Sequence, residues 1–265
     1  MRSSSTVVKG KIRLQQFDPG FTGGMDKAKT KAKTAALTQR IGELQQLLYA
    51  NSAQAVLLLF QGIDASGKDG AVRSVLHEVN PAGVHVANFK VPSEEERAHD
   101  YLWRIHREVP RYGLLGVFNR SHYEAVLAER ILGLVPERVW KQRYRQIVDW
   151  ERILVENGVV ILKFFLHLSR EEQAERFRER LENPKKHWKF SRADLAVRER
   201  WDDYAHAFED MLNHTSHRHA RWHLIPADRN WVRDHFVAQA VVDAMEALKL
   251  AWPKPREDLS KIKIR

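Results

Sequence analysis

Between residues 62 and 69 the sequence reads Gly62-Ile63-Asp64-Ala65-Ser66-Gly67-Lys68-Asp69, followed by Gly70 and then Val72, Val75, Leu76 and Val79 at helical spacing. An apolar run, Val56–Phe60, comes directly before it. A strand, a glycine-bracketed loop and a helix start aim several backbone N–H groups at one point, where the helix dipole also favours an anion. Gly62, Ala65, Ser66, Gly67, Asp69 and Gly70 are therefore expected around a phosphate group, with the Lys68 ammonium reaching its terminal oxygens. Asp69 stands where a Ser or Thr hydroxyl commonly faces Mg2+. Asp64 offers a carboxylate in the same loop, a hard oxygen ligand that suits Mg2+ and would repel a phosphate without one.

A second polar cluster, Asn119-Arg120-Ser121-His122-Tyr123-Glu124, ends the apolar run Leu114–Phe118. Asn119 can give an amide oxygen to a metal, Arg120 a two-pronged contact to phosphate, and Glu124 a further carboxylate. Farther on, Arg176 and Arg180 share one helical face, and Lys185, Lys186, Lys189, Arg192, Arg198 and Arg200 follow. Ser191 and Asp194 mark a helix start inside this basic stretch, as expected of a helical lid that closes over phosphates and keeps water out. The bland alternative is a set of solvated lysines around a Trp188 anchored in the core.

The elements that must position these groups follow from pattern. Short apolar runs at Val56–Phe60, Val84–Ala87, Leu114–Phe118, Val159–Leu166 and Trp222–Ile225 alternate with helix-period segments. That alternation predicts parallel strands joined by crossovers, hence a three-layer α/β fold on a central five-stranded parallel sheet. Capping-box spacing at Ser93/Glu96 and Ser169/Glu172 predicts two helix starts. Leu37, Ile41, Leu44 and Leu48 predict an amphipathic helix from about Asp26 to Tyr49, packed on the core or on a second subunit. Residues 1–24, with an Asp18-Pro19-Gly20 turn, are expected as an N-terminal arm on the surface, and 25–265 as one domain with a lid insertion at about 183–214.

Bulk properties narrow the chemistry. The 265 residues include no cysteine, which excludes disulfides, zinc-thiolate sites, iron-sulfur clusters and cysteine nucleophiles. The 44 Lys and Arg against 34 Asp and Glu give a formal charge of +10 and a field that draws polyanions. Apolar runs fall short of the ~18 residues of a membrane span, and residues 1–24 lack a signal-peptide core, so a cytoplasmic location is expected. Of 13 histidines, His214, His217, His219 and His223 cluster without tight zinc spacing and are expected at the surface.

From about Lys27 to Leu248 the chain resembles the polyphosphate kinase 2 family, through Gly62–Gly70, Phe118–Glu124, Asn183–Leu195 and Trp201–Tyr204 in order. The resemblance implies a thymidylate-kinase-like P-loop fold with a helical lid. It also implies reversible, Mg2+-dependent phosphoryl transfer, with Mn2+ as a substitute, between inorganic polyphosphate and adenine or guanine nucleotides. Asp64, Lys68 and Arg120 would be catalytic, Asp64, Asn119 and Glu124 would lie around the metal, and Arg176, Arg180 and Lys189 would bind polyphosphate. The family often has Asp where this chain has Asn119, and the Asn-Arg-Ser-x-Tyr-Glu form resembles the subgroup acting on both AMP and ADP. A homodimer or homotetramer is implied, with neither membrane nor nucleic acid as partner. The rival readings are an ATP-dependent nucleoside monophosphate kinase and a nucleic-acid-binding P-loop protein; steep salt dependence would mark a long polyanion as substrate.

Overall fold

The computed structural model describes residues 6–255 and 257–264. In chain order its elements are β1 (Thr6–Val7), α1 (Lys27–Asn51), β2 (Ala55–Gln61), α2 (Lys68–Val75), β3 (Val84–Asn88), α3 (Glu94–Arg97), α4 (Trp103–His106), β4 (Leu115–Asn119), α5 (Ala128–Ile131) and α6 (Glu137–Glu156). They continue with β5 (Val159–His167), α7 (Arg170–Glu182), α8 (Arg192–Glu199), α9 (Trp201–Thr215), β6 (Trp222–Pro226) and α10 (Asn230–Glu246).

All seven residues of β2 are buried, which is why that run carries no polar alternation and takes the centre of the sheet. The strand order is β1-β6-β5-β2-β4-β3, with β6, β5, β2, β4 and β3 parallel as expected. One face is covered by α1, α2 and α10 through residues such as Ile41, Val75 and Val237. The other is covered by α4, α6 and α9 through Ile105, Ile147 and Met211. The chain leaves β2 towards β3 and β4 and later returns to β5 on its other side, so the carboxyl end of β2 lies at the topological switch point, where α/β folds bind ligands. Phe60 is level with both Asn119 and Phe164, so the loops after β2 and β4 emerge side by side.

The arm and the lid insertion differ from expectation, and the bland alternative for Trp188 is not met. The 1–24 arm is tied to the body: Thr6 and Val7 pair antiparallel with Leu224 and His223, and Val8 and Leu14 are buried in the core. Residues 1–5 of that arm lie outside the described residues. The 183–214 stretch divides, because 183–200 has no buried residue whereas α9 puts Tyr204, Ala207, Phe208, Met211 and Leu212 into the core. Trp188 is 78% exposed, beside Lys189, and anchors nothing in the core.

The helix starts behave as their chemistry requires. Asp26 caps α1 by accepting from the Lys29 N–H at 2.8 Å, and Ser93 with Glu96 forms a full capping box. Ser169 caps α7, but its own N–H donates to Asp228 rather than to Glu172. Glu172 pairs instead with Arg176. The apolar stripe of α1 lies against the sheet and α10, the core-packing alternative. Among the described residues no helix is long and apolar enough to cross a membrane.

Candidate active site

The loop between β2 and α2 wraps a cleft of about 480 Å³ at the carboxyl edge of the sheet. Asp64, Ala65, Gly67, Lys68, Asp69, Gly70, Asn119, Arg120, Arg180 and Lys189 all line it, so most of the sequence-predicted residues converge. Gly62 and Gly67 have φ of +156° and +92°. A Cβ on Gly67 would press on an Arg233 guanidinium nitrogen, and the positive φ itself favours glycine at that turn. Ala65 takes the left-handed region at φ 66°. Ser66, expected around the phosphate, is buried and does not line the cleft, and its hydroxyl has no hydrogen-bond partner among the described residues.

Lys68 opens α2 and folds back, its Nζ donating to the carbonyls of Gly62 at 2.6 Å and Ile63 at 3.2 Å. Burial pushes its ammonium below the ordinary lysine range, against the pull of Asp64. Asp69 is in the first turn of α2, where its carboxylate accepts from the Asn119 amide at 2.7 Å; only its backbone N–H can face an anion. Arg120 follows β4 with φ 61° and donates to Asp64 at 2.9 Å. Burial works against the Arg120 charge, but Glu124 and Asp64 outweigh it and raise its pKa. Glu124 sits in a 3-10 turn, His122–Val126, rather than in a regular helix, and burial raises its carboxyl pKa against the pull of Arg120 and Lys68.

Arg176 does not line the cleft and is engaged with the loop itself. Its guanidinium donates to Ala65 O at 2.8 Å and Ala227 O at 2.7 Å and pairs with Glu172 at 2.9 Å. It braces the back of the loop, and direct phosphate contact would require it to leave these partners. Arg180 does line the cleft while pairing with Asp194 of α8 at 3.0 Å, which ties the basic segment to α7.

Could this donor set hold a divalent cation? Among the described residues no group of three His, Cys, Asp or Glu side chains could do so alone. Asp64 lines this cleft and Glu124 the adjoining one, and the two carboxylates interact electrostatically. One or two carboxylates completed by substrate phosphates are what Mg2+ commonly takes, so the residues fit a metal that arrives with phosphate. The Asn119 amide can add only a neutral oxygen.

Two features were not anticipated from the sequence. Arg233, 3% exposed, underpins Gly67 and Gly70 while bonded to Asn230 and Asp234. An arginine on the core-facing stripe Val232, Phe236, Val237 and Ala240 is the signal that could have found it. The second is an adjoining cleft of about 310 Å³, lined by Tyr101, Arg104, Arg143, Glu124 and others. It shares Phe89, Lys90, Val91 and Arg120 with the P-loop cleft. Arg104 lies over Phe89 and bonds Glu96, and Arg143 lies over Tyr101, so the wall combines aromatic faces with fixed cations. Its residues come from loops, short helices and one turn of α6, with no shared period, which left it invisible in sequence. His122, next to Arg120, is buried beside Glu151; His214 and His217 are exposed, and His219 and His223 are half-buried.

Comparison with known proteins gives the same answer. The family model Polyphosphate kinase 2 matches residues 24–252. An AMP/ADP-polyphosphate phosphotransferase of Meiothermus ruber is 48% identical over 257 residues, covering 96% of each chain. An ADP-polyphosphate phosphotransferase of Rhodopseudomonas palustris is 46% identical over 228 residues, 82% of this chain and 79% of that one. The crystal structure of polyphosphate kinase 2 from Arthrobacter aurescens TC1 superposes with a TM-score of 0.92 at 39% identity, over 98% of this chain and 97% of that one. The expected P-loop kinase fold and phosphotransferase class are thus met, and the chain belongs to the polyphosphate kinase 2 family.

Proposed function

We propose that this enzyme transfers the terminal phosphoryl group of polyphosphate to AMP and to ADP, reversibly, with the polyphosphate end in the P-loop cleft and the nucleotide in the adjoining one. The observation that carries the reading is that the two clefts meet at Arg120. A terminal phosphate oxygen of the nucleotide attacks the last phosphorus of the chain, and the bond from that phosphorus to its bridging oxygen breaks. The polyphosphate leaves one unit shorter. Such transfers need positioning and charge stabilisation rather than a covalent enzyme intermediate.

In this reading the loop amides and Lys68 hold the donor phosphates, and Arg120 faces the charge that spreads over the transferred group. Kinases of this class generally need a divalent metal, and Mg2+, with Mn2+ as substitute, is proposed at Asp64 and Glu124. Bound there it would offset phosphate charge that the two carboxylates otherwise repel. Arg180, Lys189 and the unburied 183–200 segment serve as the lid and follow the polyanion as basic channels follow a nucleic-acid backbone. The AMP/ADP activity named for the Meiothermus ruber relative supports both acceptors here. Nucleotide substrates support a cytoplasmic location, and the family resemblance supports a homodimer or homotetramer.

The test is to supply long-chain polyphosphate and Mg2+ with AMP or ADP separately and follow nucleotides by chromatography. AMP is expected to yield ADP and then ATP. Conversion of ADP alone would reject the double acceptor, and conversion of neither would reject the reading.

A further inference from the structure

Below the Arg120 turn lies a charged cluster that lines neither cleft through its two ions. Lys163, on β5, and Glu151, on α6, are both fully buried and pair at 2.7 Å. The Lys163 ammonium also donates to the Tyr123 hydroxyl at 2.8 Å and to the Thr215 carbonyl at 2.8 Å, which uses all three of its protons. Tyr123 donates to the other Glu151 oxygen at 2.8 Å, and His122 Nε2 approaches that oxygen at 3.4 Å.

Fold stability alone gives a poor reason for this arrangement. Taking two ions out of water costs several kcal/mol each, and an apolar pair of similar volume commonly does as well or better. What the cluster grips is more informative. Tyr123 stands three residues after Arg120, whose left-handed backbone persists only when its surroundings over-determine it. Arg120 N–H donates to Phe60 O at 3.2 Å, and the Ser121 hydroxyl accepts from Gln61 at 3.0 Å, so the near end of the turn is tied to β2. Lys163 and Glu151 tie the far end. Thr215 is the last residue of α9, the helix that follows the basic segment, and its carbonyl is one of those a helix leaves without an internal partner. Lys163 therefore joins the turn that aims Arg120 to the end of the helix that carries the lid.

We propose that Lys163 and Glu151 are positioning residues for phosphoryl transfer, holding the Arg120–Glu124 turn in register with the lid-bearing helix. The inference rests on the role given above to Arg120, and the experiment separates the two. Wild type, Lys163→Met, the double variant Lys163→Met/Glu151→Met, Tyr123→Phe and Arg120→Ala are compared for thermal midpoint and for kcat and KM with polyphosphate and ADP. The single Lys163→Met strands a buried carboxylate and is expected to lower the melting temperature. The double variant, with no buried ion pair but with the Tyr123 hydroxyl and Thr215 carbonyl losing these partners, is expected to regain part of the midpoint lost by the single variant while kcat stays down by ~10-fold or more, the scale of a small misplacement of a reacting group. Its KM values should not move, since only an interaction made in the transition state is lost. Tyr123→Phe keeps the ring and removes the hydroxyl that both ions touch; it is expected to lower kcat at unchanged KM, and it decides the matter should the double variant not fold. Wild-type kcat in a folded double variant, or in Tyr123→Phe, would overturn the proposal. An Arg120→Ala enzyme with near wild-type kcat would overturn it too, by removing the group being positioned.

Discussion

Asp64 accepts a hydrogen bond from Arg120 at 2.9 Å across the mouth of the P-loop, so the two groups assigned to metal and to transferred phosphate hold each other until substrate enters. In the proposed mechanism, binding exchanges that pair for a cation on one side and phosphate oxygens on the other. Asp64→Asn is expected to raise the Mg2+ concentration for half-maximal rate by ~10-fold or more, the scale of lost metal-site support. A metal titration of the rate checks this, and an unchanged midpoint would remove Asp64 from the metal site.

Lys68 is closed between two loop carbonyls, so its charge is delivered from one direction only. Lys68→Ala is expected to lose about 10²–10³-fold in kcat, as when other charge stabilisers are removed. Lys68→Arg should recover little of it, because a planar guanidinium cannot replace a compact ammonium in that space. Steady-state kinetics with saturating polyphosphate would expose an error here as a near-normal rate.

Gly67 and Arg233 share one space, and the loop is shaped by that contact. Gly67→Ala is expected to cost about 1–3 kcal/mol of stability from its positive φ alone, and more from the guanidinium that must move. Arg233→Ala should partly relieve the second cost, giving a non-additive double variant. Denaturant midpoints of the four proteins test the coupling; simple additivity would contradict it.

Three buried or half-buried histidines make the fold acid-sensitive. Burial lowers the pKa of His122 and His167, and that of His223 to about 4. Their folded values lie below the unfolded value near 6.5, so below that pH the unfolded chain binds protons the native state refuses. This stability is present above the unfolded value and is lost as pH drops from there towards each folded value. Carboxyls raised by burial, Asp194 and Asp234 among them, act in the opposite sense at lower pH. Urea midpoints at pH 7 and 5.5 should therefore fall, and His223→Phe, which replaces a ring whose Nδ1 has no partner, should fall less. Greater stability at pH 5.5 than at pH 7 would contradict the assignment.

Much of this was legible in the residues. The fully apolar Val56–Phe60 followed by a glycine-bracketed loop read as a central strand entering a helix, and that is what forms, because sequence order and spatial order coincide there. Phe118–Glu124 was legible for the same reason. The arm was misjudged because two residues, Thr6 and Val7, suffice to add an edge strand, too short for a pattern to register. Arg176 was expected at polyphosphate from the family resemblance, and its bonds to the carbonyls of Ala65 and Ala227, far apart in sequence, could not be foreseen from spacing. Lys163 hid inside an apolar strand, since only the fold brings Glu151 and Thr215 to it.

The claim at the centre of this account is that transfer occurs where the two clefts meet at Arg120. Its most direct test is the turnover of Arg120→Ala with polyphosphate, Mg2+ and ADP all saturating. A loss of about 10²–10³-fold in kcat, with both substrates still bound, is the expected result. A kcat close to wild type would place the transferred phosphoryl group elsewhere.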